Sequence, residues 1–246
     1  MKDHYLASVK GAILRLLPEV NVVDISHEVS PFNIKEAAYI FRNAWQYFPE
    51  GTVHILGVDT EESDNQAHVV IKNKGHFFIG ADNGIFSLIF NEVPDECREL
   101  QVMQDSDYFT FPTRDRFVKT AVHLVKGESM DELGPIHGRL LERSLFNPVI
   151  ETDAIKGVAI YIDRYENVIT NITREVFEKV RKGRKCKIVI RGEVIPQISE
   201  SYSDVNFSFP VALFGSNGHL EIALNRGNAG GLLGLNIDSS VRVEFF

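Results

Sequence analysis

The sequence predicts two architectures in series: an α/β N-terminal domain with a Rossmann-like, mostly parallel sheet, and a small all-β C-terminal barrel. Three observations carry this. Through the first 150 residues, helical and strand-like apolar periods alternate across short turns. From Ala154 onward the period changes to short, closely spaced strands. Between them the pattern decays into a connector holding Pro135, Gly138 and Pro148, which sets the domains at 1–150 and 154–246.

The chain opens on a helix. Tyr5, Leu6, Val9, Ile13, Leu16 and Leu17 fall near helical spacing, Asp3 can cap the start, and Pro18 ends it. Residues 20–25, VNVVDI, read as a buried parallel strand with Ser26-His27-Glu28 at its carboxyl end. A second helix is expected over 33–45, with Ile34, Ala37, Ala38, Phe41 and Ala44 on one face. Residues 52–58, TVHILGV, form the next buried strand, ending at Asp59. Strand, helix, strand with short joints is the grammar of a doubly wound sheet. Such sheets usually open on a strand, so two readings stand: a fold that begins with a helix, or a sequence that begins after its first strand.

The acidic stretch TEESDNQ leads into a hairpin of 68–72 and 77–80 around Lys72-Asn73-Lys74-Gly75. Asp82-Asn83-Gly84 is a turn before a short helix at 85–90, and a strand is expected near 98–102. Thr113 can cap a helix over 114–126, with Phe117, Ala121, Leu124 and Val125 inward. In the second domain, strands are expected at 157–162, 167–170, 185–190, 193–196, 208–214, 219–224 and 241–245, with one helix at 174–180. The stretch 214–235, FGSNGHLEIALNRGNAGGLLGL, reads as strand, tight turn, strand and a loop of small residues at 227–231. Such a loop either lets a ligand approach the main chain or is an ordinary glycine-rich bend.

Composition narrows the function classes. Of 246 residues, 44% are hydrophobic and 24% charged, the balance of a folded soluble chain. A net charge of −8 leaves no basic surplus for phosphates, which argues against a general nucleic-acid binder. Cys97 and Cys186 lie far apart without CxxC or Cys-His spacing, and the eight histidines show no HExxH or His-x-His grouping. Neither a metal site nor a disulfide scaffold is expected, and the cysteines suit a reducing cytoplasm. No apolar run approaches the roughly 20 residues needed to span a bilayer, and the N-terminus lacks a signal peptide's long apolar core.

Three constellations can carry chemistry. Asp163 and Asn167 flank a turn, so a carboxylate and an amide can face one side; that suits a ribose diol or an amino-acid head group, or else is plain turn chemistry. Asp59 stands at the carboxyl end of a buried strand, where open α/β sheets bind ligands. His27 occupies the equivalent place one strand earlier, as a base or as a partner of a neighbouring loop's backbone. There is no GxSxG elbow and no P-loop.

The segments DHYLASVKGAIL, VDISHEVSPFNIKEAAYIF, YFPEGTVHILGVD, GADNGIFS, YIDRYENVITNI and GSNGHLEIALNRGNA, in this order and spacing, resemble the S-adenosylmethionine hydroxide adenosyltransferases, relatives of the fluorinating and chlorinating enzymes. The resemblance covers nearly the whole chain. It implies a homotrimer that binds S-adenosylmethionine between one subunit's N-terminal domain and a neighbour's C-terminal domain. Its chemistry is displacement at the ribose 5′ carbon by water or halide, with S-adenosylmethionine as substrate and no separate cofactor. Carried over by position, Asp163 and Asn167 hold the methionine head group, and Ser216 and Asn217 add contacts on that side. The backbone from Asn225 to Ala229 approaches the adenine, and Phe32 packs against the ligand.

The departures are equally specific. Hydrolytic members use an Asp, an Arg seven residues later and a His in an HGRD segment. Here Asp59 matches, Gln66 stands at the Arg position, and the segment reads Pro112-Thr113-Arg114-Asp115. The halogenating branch has Ser where this chain has Thr113, so Thr113 keeps a hydroxyl. The loop after Asp59, usually PGVG, is TEES, which brings Glu61 and Glu62 near the implied site. The family's opening strand carries a TD(F/Y)G motif whose Asp grips the ribose diol, and this sequence starts after it; losing that carboxylate costs about 1.5–3 kcal/mol per charged hydrogen bond. Two functions follow as expectations: an S-adenosylmethionine hydrolase with altered water-activating residues, or a non-catalytic trimeric module that binds S-adenosylmethionine or adenosine.

Overall fold

The computed structural model describes residues 3–90, 92–104, 109–144 and 147–246. The chain divides into two compact units, Met1–Ser144 and Leu145–Phe246.

In the first unit α1 (Tyr5–Leu16) and α2 (Ile34–Arg42) precede β1 (Val53–Ile55), β2 (His68–Asn73) and β3 (His76–Ala81). Then come α3 (Ile85–Ile89), β4 (Glu96–Glu99), a π-helical turn at Thr113–Phe117 and α4 (Val118–Val125). The sheet runs β1-β3-β2-β4. Alternation along β3 sends its residues to two faces. Ile79 meets Phe117, Ala121 and Leu124 on one side, while Phe78 takes the ring edges of Phe41 and Trp45 on the other, at 5.9 and 5.2 Å. Two apolar layers therefore sandwich the sheet. Asn33 caps α2, its side chain accepting from the Glu36 amide at 3.2 Å, and Asp3 accepts from the Tyr5 amide at 3.2 Å.

Three expectations for this unit are corrected. The sheet is mixed: only β1–β3 is a parallel pair among the described strands, not a mostly parallel, doubly wound set. Residues 20–25 form no strand, and Val23 is 57% exposed. An apolar run becomes a buried strand only when strands pair with it, and none of the described ones does; Asp24 instead pairs with Lys10 and with His27 at 3.0 Å. Thr113 does not cap its helix, which begins in the π turn without a side-chain cap.

The second unit holds β5 (Val149–Ile150), β6 (Ala154–Ile162), β7 (Val168–Thr173), α5 (Arg174–Arg181), β8 (Cys186–Ile190), β9 (Glu193–Ile195), β10 (Pro210–Phe214), β11 (His219–Leu224), α6 (Ala229–Leu233) and β12 (Ser240–Phe245). The order is β10-β11-β7-β6-β12-β8-β9, with β5 beside β6. Beyond β9, Ile198 bridges to Ala212 in β10, and Ser199 donates to the Ala212 carbonyl at 2.8 Å, so the antiparallel sheet nearly closes on itself. Its interior is apolar, with Ile155, Ile172, Phe177, Ile188, Ile222 and Val241 buried. The expected loop at 227–231 is partly helical: Asn228 caps α6 by accepting from the Gly231 amide at 2.6 Å, and burial of Ala229 compensates for two helical glycines.

Candidate functional site

The first candidate region is built where the chain leaves β1. Asp59 adopts φ +50°, a left-handed conformation that costs a non-glycine residue about 1–3 kcal/mol and persists only where neighbours enforce it. The enforcing groups are side chains from two directions. The Asn83 amide donates to the carbonyls of Val58 and Asp59 at 3.0 and 2.9 Å. The Gln66 amide donates to those of Asp59 and Glu61 at 3.0 and 2.7 Å. Gln66, at the family's Arg position, is thus spent on the backbone. The Asp59 carboxylate has no hydrogen-bond or ion-pair partner among the described residues, so its backbone is immobilised while its acid stays available.

Thr113 arrives at the same strand end. A Cβ placed on Gly57 would stand 3.2 Å from Thr113 Cγ2 and 3.4 Å from its Oγ1. A side chain at Gly57 would crowd Thr113 by a few tenths of an ångström, so the glycine eases the approach of this hydroxyl-bearing side chain to backbone two residues before Asp59. Arg114 is turned to Asp115, in a two-point ion pair.

Beside them lies a cluster that sequence reasoning missed in part. His68, 1% exposed, opens β2; its Nε2 is 2.9 Å from the Thr60 carbonyl and its Nδ1 is 2.9 Å from an Arg116 guanidinium nitrogen. The same nitrogen donates to Glu62 at 2.6 Å. Burial foremost, with the Arg116 charge beside it, holds His68 below the usual histidine range, against the pull of the Thr60 carbonyl and Glu62. Glu62 was legible as an acid entering the site. Arg116 was not, because its only signal is a position one turn beyond Thr113.

The second region lies in the barrel unit. Asp163 Oδ1 accepts from the Tyr165 and Asn167 amides at 2.8 and 2.9 Å, and Oδ2 accepts from the Asn167 side chain at 3.2 Å. The pair is therefore held rigidly by turn chemistry and points as one polar corner. The Gly230 amide donates to the Glu166 carbonyl at 2.9 Å, which joins this corner to the loop from Asn225 to Ala229. Asn225 is buried and uses its amide on the Val205 carbonyl at 2.7 Å. Ala229 is fully buried, so what this loop can offer a ligand there is main chain.

Ser216 and Asn217 are exposed in the tight turn between β10 and β11, where Gly218 takes φ +77° and Asn217 Oδ1 accepts from the His219 amide at 3.0 Å. Register places Val168 opposite Ile222 and His219 opposite Thr173, so this turn stands at the far end of the β7–β11 ladder from Asp163 and Asn167. Between them sits Glu221, 8% exposed and unmarked in the sequence beyond its place in an alternating strand. Its Oε1 accepts from the Tyr202 hydroxyl at 2.7 Å, and its Oε2 lies 3.2 Å from where a Gly215 Cβ would be. Burial foremost raises its pKa, opposed by the Tyr202 bond and reinforced by the charge of Asp163.

Phe32 is 77% exposed at φ +63° in the turn before α2, and no contact among the described residues places it beside the other predicted ones. With Asp59, Glu166 (φ +63°) and Arg226 (φ +54°), it shows that each predicted segment except Thr113 and the Ser216–Asn217 turn contains or adjoins a strained non-glycine residue. No group of three or more His, Cys, Asp or Glu fit to hold a metal occurs among the described residues, and none of their helices is long and apolar enough to cross a membrane.

Residues 1–134 match the family model of the SAM hydroxide adenosyltransferase N-terminal domain, and 157–242 match that of its C-terminal domain. Among curated relatives, the "(R)-S-adenosyl-L-methionine hydrolase" of Methanocaldococcus jannaschii is 28% identical, covering 98% of this chain and 90% of its own. The Thermus thermophilus protein of the same name is 29% identical, over 99% and 95%. A fluorinase of Nocardia brasiliensis is 25% identical, over 98% and 93%. Among solved structures, an uncharacterized conserved protein from Thermotoga maritima matches with a TM-score of 0.89 at 27% identity, over 99% of this chain and 96% of that one. A conserved hypothetical protein from Thermus thermophilus matches at 0.75 with 30% identity, over 100% and 95%.

Proposed function

The chain belongs to the SAM hydroxide adenosyltransferase family, and we propose that it hydrolyses S-adenosylmethionine to adenosine and L-methionine. The observation that carries this is the packing of the Thr113 side chain against Gly57, two residues before Asp59. In the proposed step, water attacks the ribose 5′ carbon as the C–S bond breaks. The bonding pair goes to sulfur, which becomes the neutral thioether of methionine, and the water's proton passes to Asp59 and then to solvent. A sulfonium is already a good leaving group, so the protein's work is to align and desolvate the water. Thr113 is placed to hold that water. Asp163 and Asn167 are the residues proposed to take the methionine head group, with Ser216 and Asn217 adding contacts on the methionine side; the main chain from Asn225 to Ala229 faces the adenine, and Phe32 covers the ligand. Domains of 1–150 and 154–246, a homotrimer with ligand sites at its subunit interfaces, and a cytoplasmic location complete the proposal.

The test is incubation with S-adenosylmethionine and chromatography of the products. Adenosine and methionine in equal amounts, lost in Asp59→Asn, are expected; no product at high enzyme concentration overturns the reading. A second reading has its own observation. Gln66 is consumed by loop carbonyls and Arg114 by Asp115, so neither serves as the family's Arg or His. A module that binds S-adenosylmethionine or adenosine without chemistry then follows, shown by a raised Tm with these ligands and no turnover.

A further inference from the structure

Building on the hydrolase reading, we propose that Arg116 and His68 are positioning residues that lock the 60–63 loop beside Asp59 while His68 is neutral and release it when His68 is protonated. The lock is visible residue by residue. Asn83 and Gln66 hold the Asp59 carbonyl, His68 the Thr60 carbonyl, Gln66 the Glu61 carbonyl, and Arg116 the Glu62 carboxylate. Four consecutive residues are each tied by a side chain from β2, the turn before α3, the π turn or the loop's own end.

The chemistry of the partners dictates the state of the imidazole. A carbonyl can only accept, so Nε2 carries hydrogen; a guanidinium can only donate, so Nδ1 must present its lone pair. One neutral tautomer satisfies both bonds. A proton added at Nδ1 would aim an N–H at a guanidinium nitrogen 2.9 Å away, turning a hydrogen bond into a clash of two donors and two cations. The groups facing the ring are Thr60, Glu62 and Arg116, with the Phe117 ring edge-on at 4.8 Å. Glu62, 3.9 Å from Nδ1, is the acid that protonated His68 would draw away from Arg116. Either outcome unfastens the loop.

Arg116 is poorly explained as a purely structural residue. Its side chain is 13% exposed and its Nε is buried without a hydrogen-bond partner among the described residues, an arrangement that an apolar side chain of similar volume would often improve for stability alone. It is carried by a π turn, a distortion frequent at functional sites. A guanidinium and an imidazole are also the two groups that the family positions at Gln66 and Pro112 no longer provide. Here they come from elsewhere in the chain and act through the loop.

The experiment combines kcat and KM from pH 5 to 8 with backbone amide exchange over 60–66, corrected for intrinsic rates. For the natural protein, kcat and loop protection are expected to fall together at acid pH. Arg116→Met is expected to lower kcat about 10- to 100-fold with KM changed less than about threefold, and to lower loop protection at every pH; Arg116→Lys restores part of both. His68→Leu behaves like Arg116→Met. His68→Gln, whose amide offers one donor and one acceptor but does not titrate, recovers turnover relative to His68→Leu and loses the acid limb. Turnover with variant pH profiles and exchange like the natural protein's overturns this inference and leaves the hydrolase reading standing. No turnover by the natural protein overturns that reading instead, and the exchange data alone then decide whether Arg116 and His68 hold the loop.

Discussion

At the scale of the residue, what each polar side chain is for depends on which atoms its neighbours leave unpaired. Asp59 and Gln66 were marked by position, yet the sequence could not say that Gln66 would bond two carbonyls and so hold Asp59 in its left-handed conformation. His54 shows the same dependence. Read only as part of a strand, it is buried among Phe41, Phe48 and Phe78, with its Nε2 3.3 Å from His76 Nδ1. Burial first, and the charge of His76 second, push its pKa from 6.5 down to about 4. The unfolded chain therefore binds a proton that the folded chain refuses. His54 contributes its full stability above pH 6.5 and loses it as pH falls through about 4, a swing of about 3 kcal/mol. His54→Gln, which keeps a polar partner for His76, is expected to flatten the fall in urea midpoint between about pH 7 and about pH 4.5; an unchanged slope would show that other groups carry it.

At the scale of the element, periodicity was a good guide wherever an element buries one face. The barrel strands stand within a few residues of their expected bounds because each alternates inward and outward side chains. Residues 20–25 misled, since a short apolar run carries no information about whether strands will flank it. The Thr113–Phe117 segment misled differently: its helical period is real, but the chain widens into a π turn whose Thr113 packs on Gly57. Close backbone approach is equally invisible in β6. A Cβ at Gly157 would stand 2.5 Å from both Asn171 Oδ1 and Ile172 Cγ1, and that same Asn171 oxygen accepts from the Val158 amide at 2.8 Å. Gly157→Ala is accordingly expected to overpack the barrel wall and cost about 1–3 kcal/mol, read as a lower urea midpoint of the barrel unit. A shift under about 0.5 kcal/mol would mean that β6 and β7 can part without loss.

At the scale of the whole molecule, the resemblance across six ordered segments carried the family, and the matches over 1–134 and 157–242 span those segments. The homotrimer is a proposal with a direct measure. Light scattering is expected to give a mass near three times 27.8 kDa, and a monomer at every concentration would remove the intersubunit sites. The sequence by itself determined the family and the strand periods of the barrel, and it marked Asp59, Thr113, Asp163 and Asn167 as candidates, because these follow from local pattern and from order along the chain. Only the tertiary structure decided that the N-terminal sheet is mixed, that Thr113 packs on Gly57, and that His68, Arg116 and Glu62 share one hydrogen-bonded cluster. Those outcomes depend on which distant groups must satisfy one another once water is excluded, and no spacing along the chain encodes that.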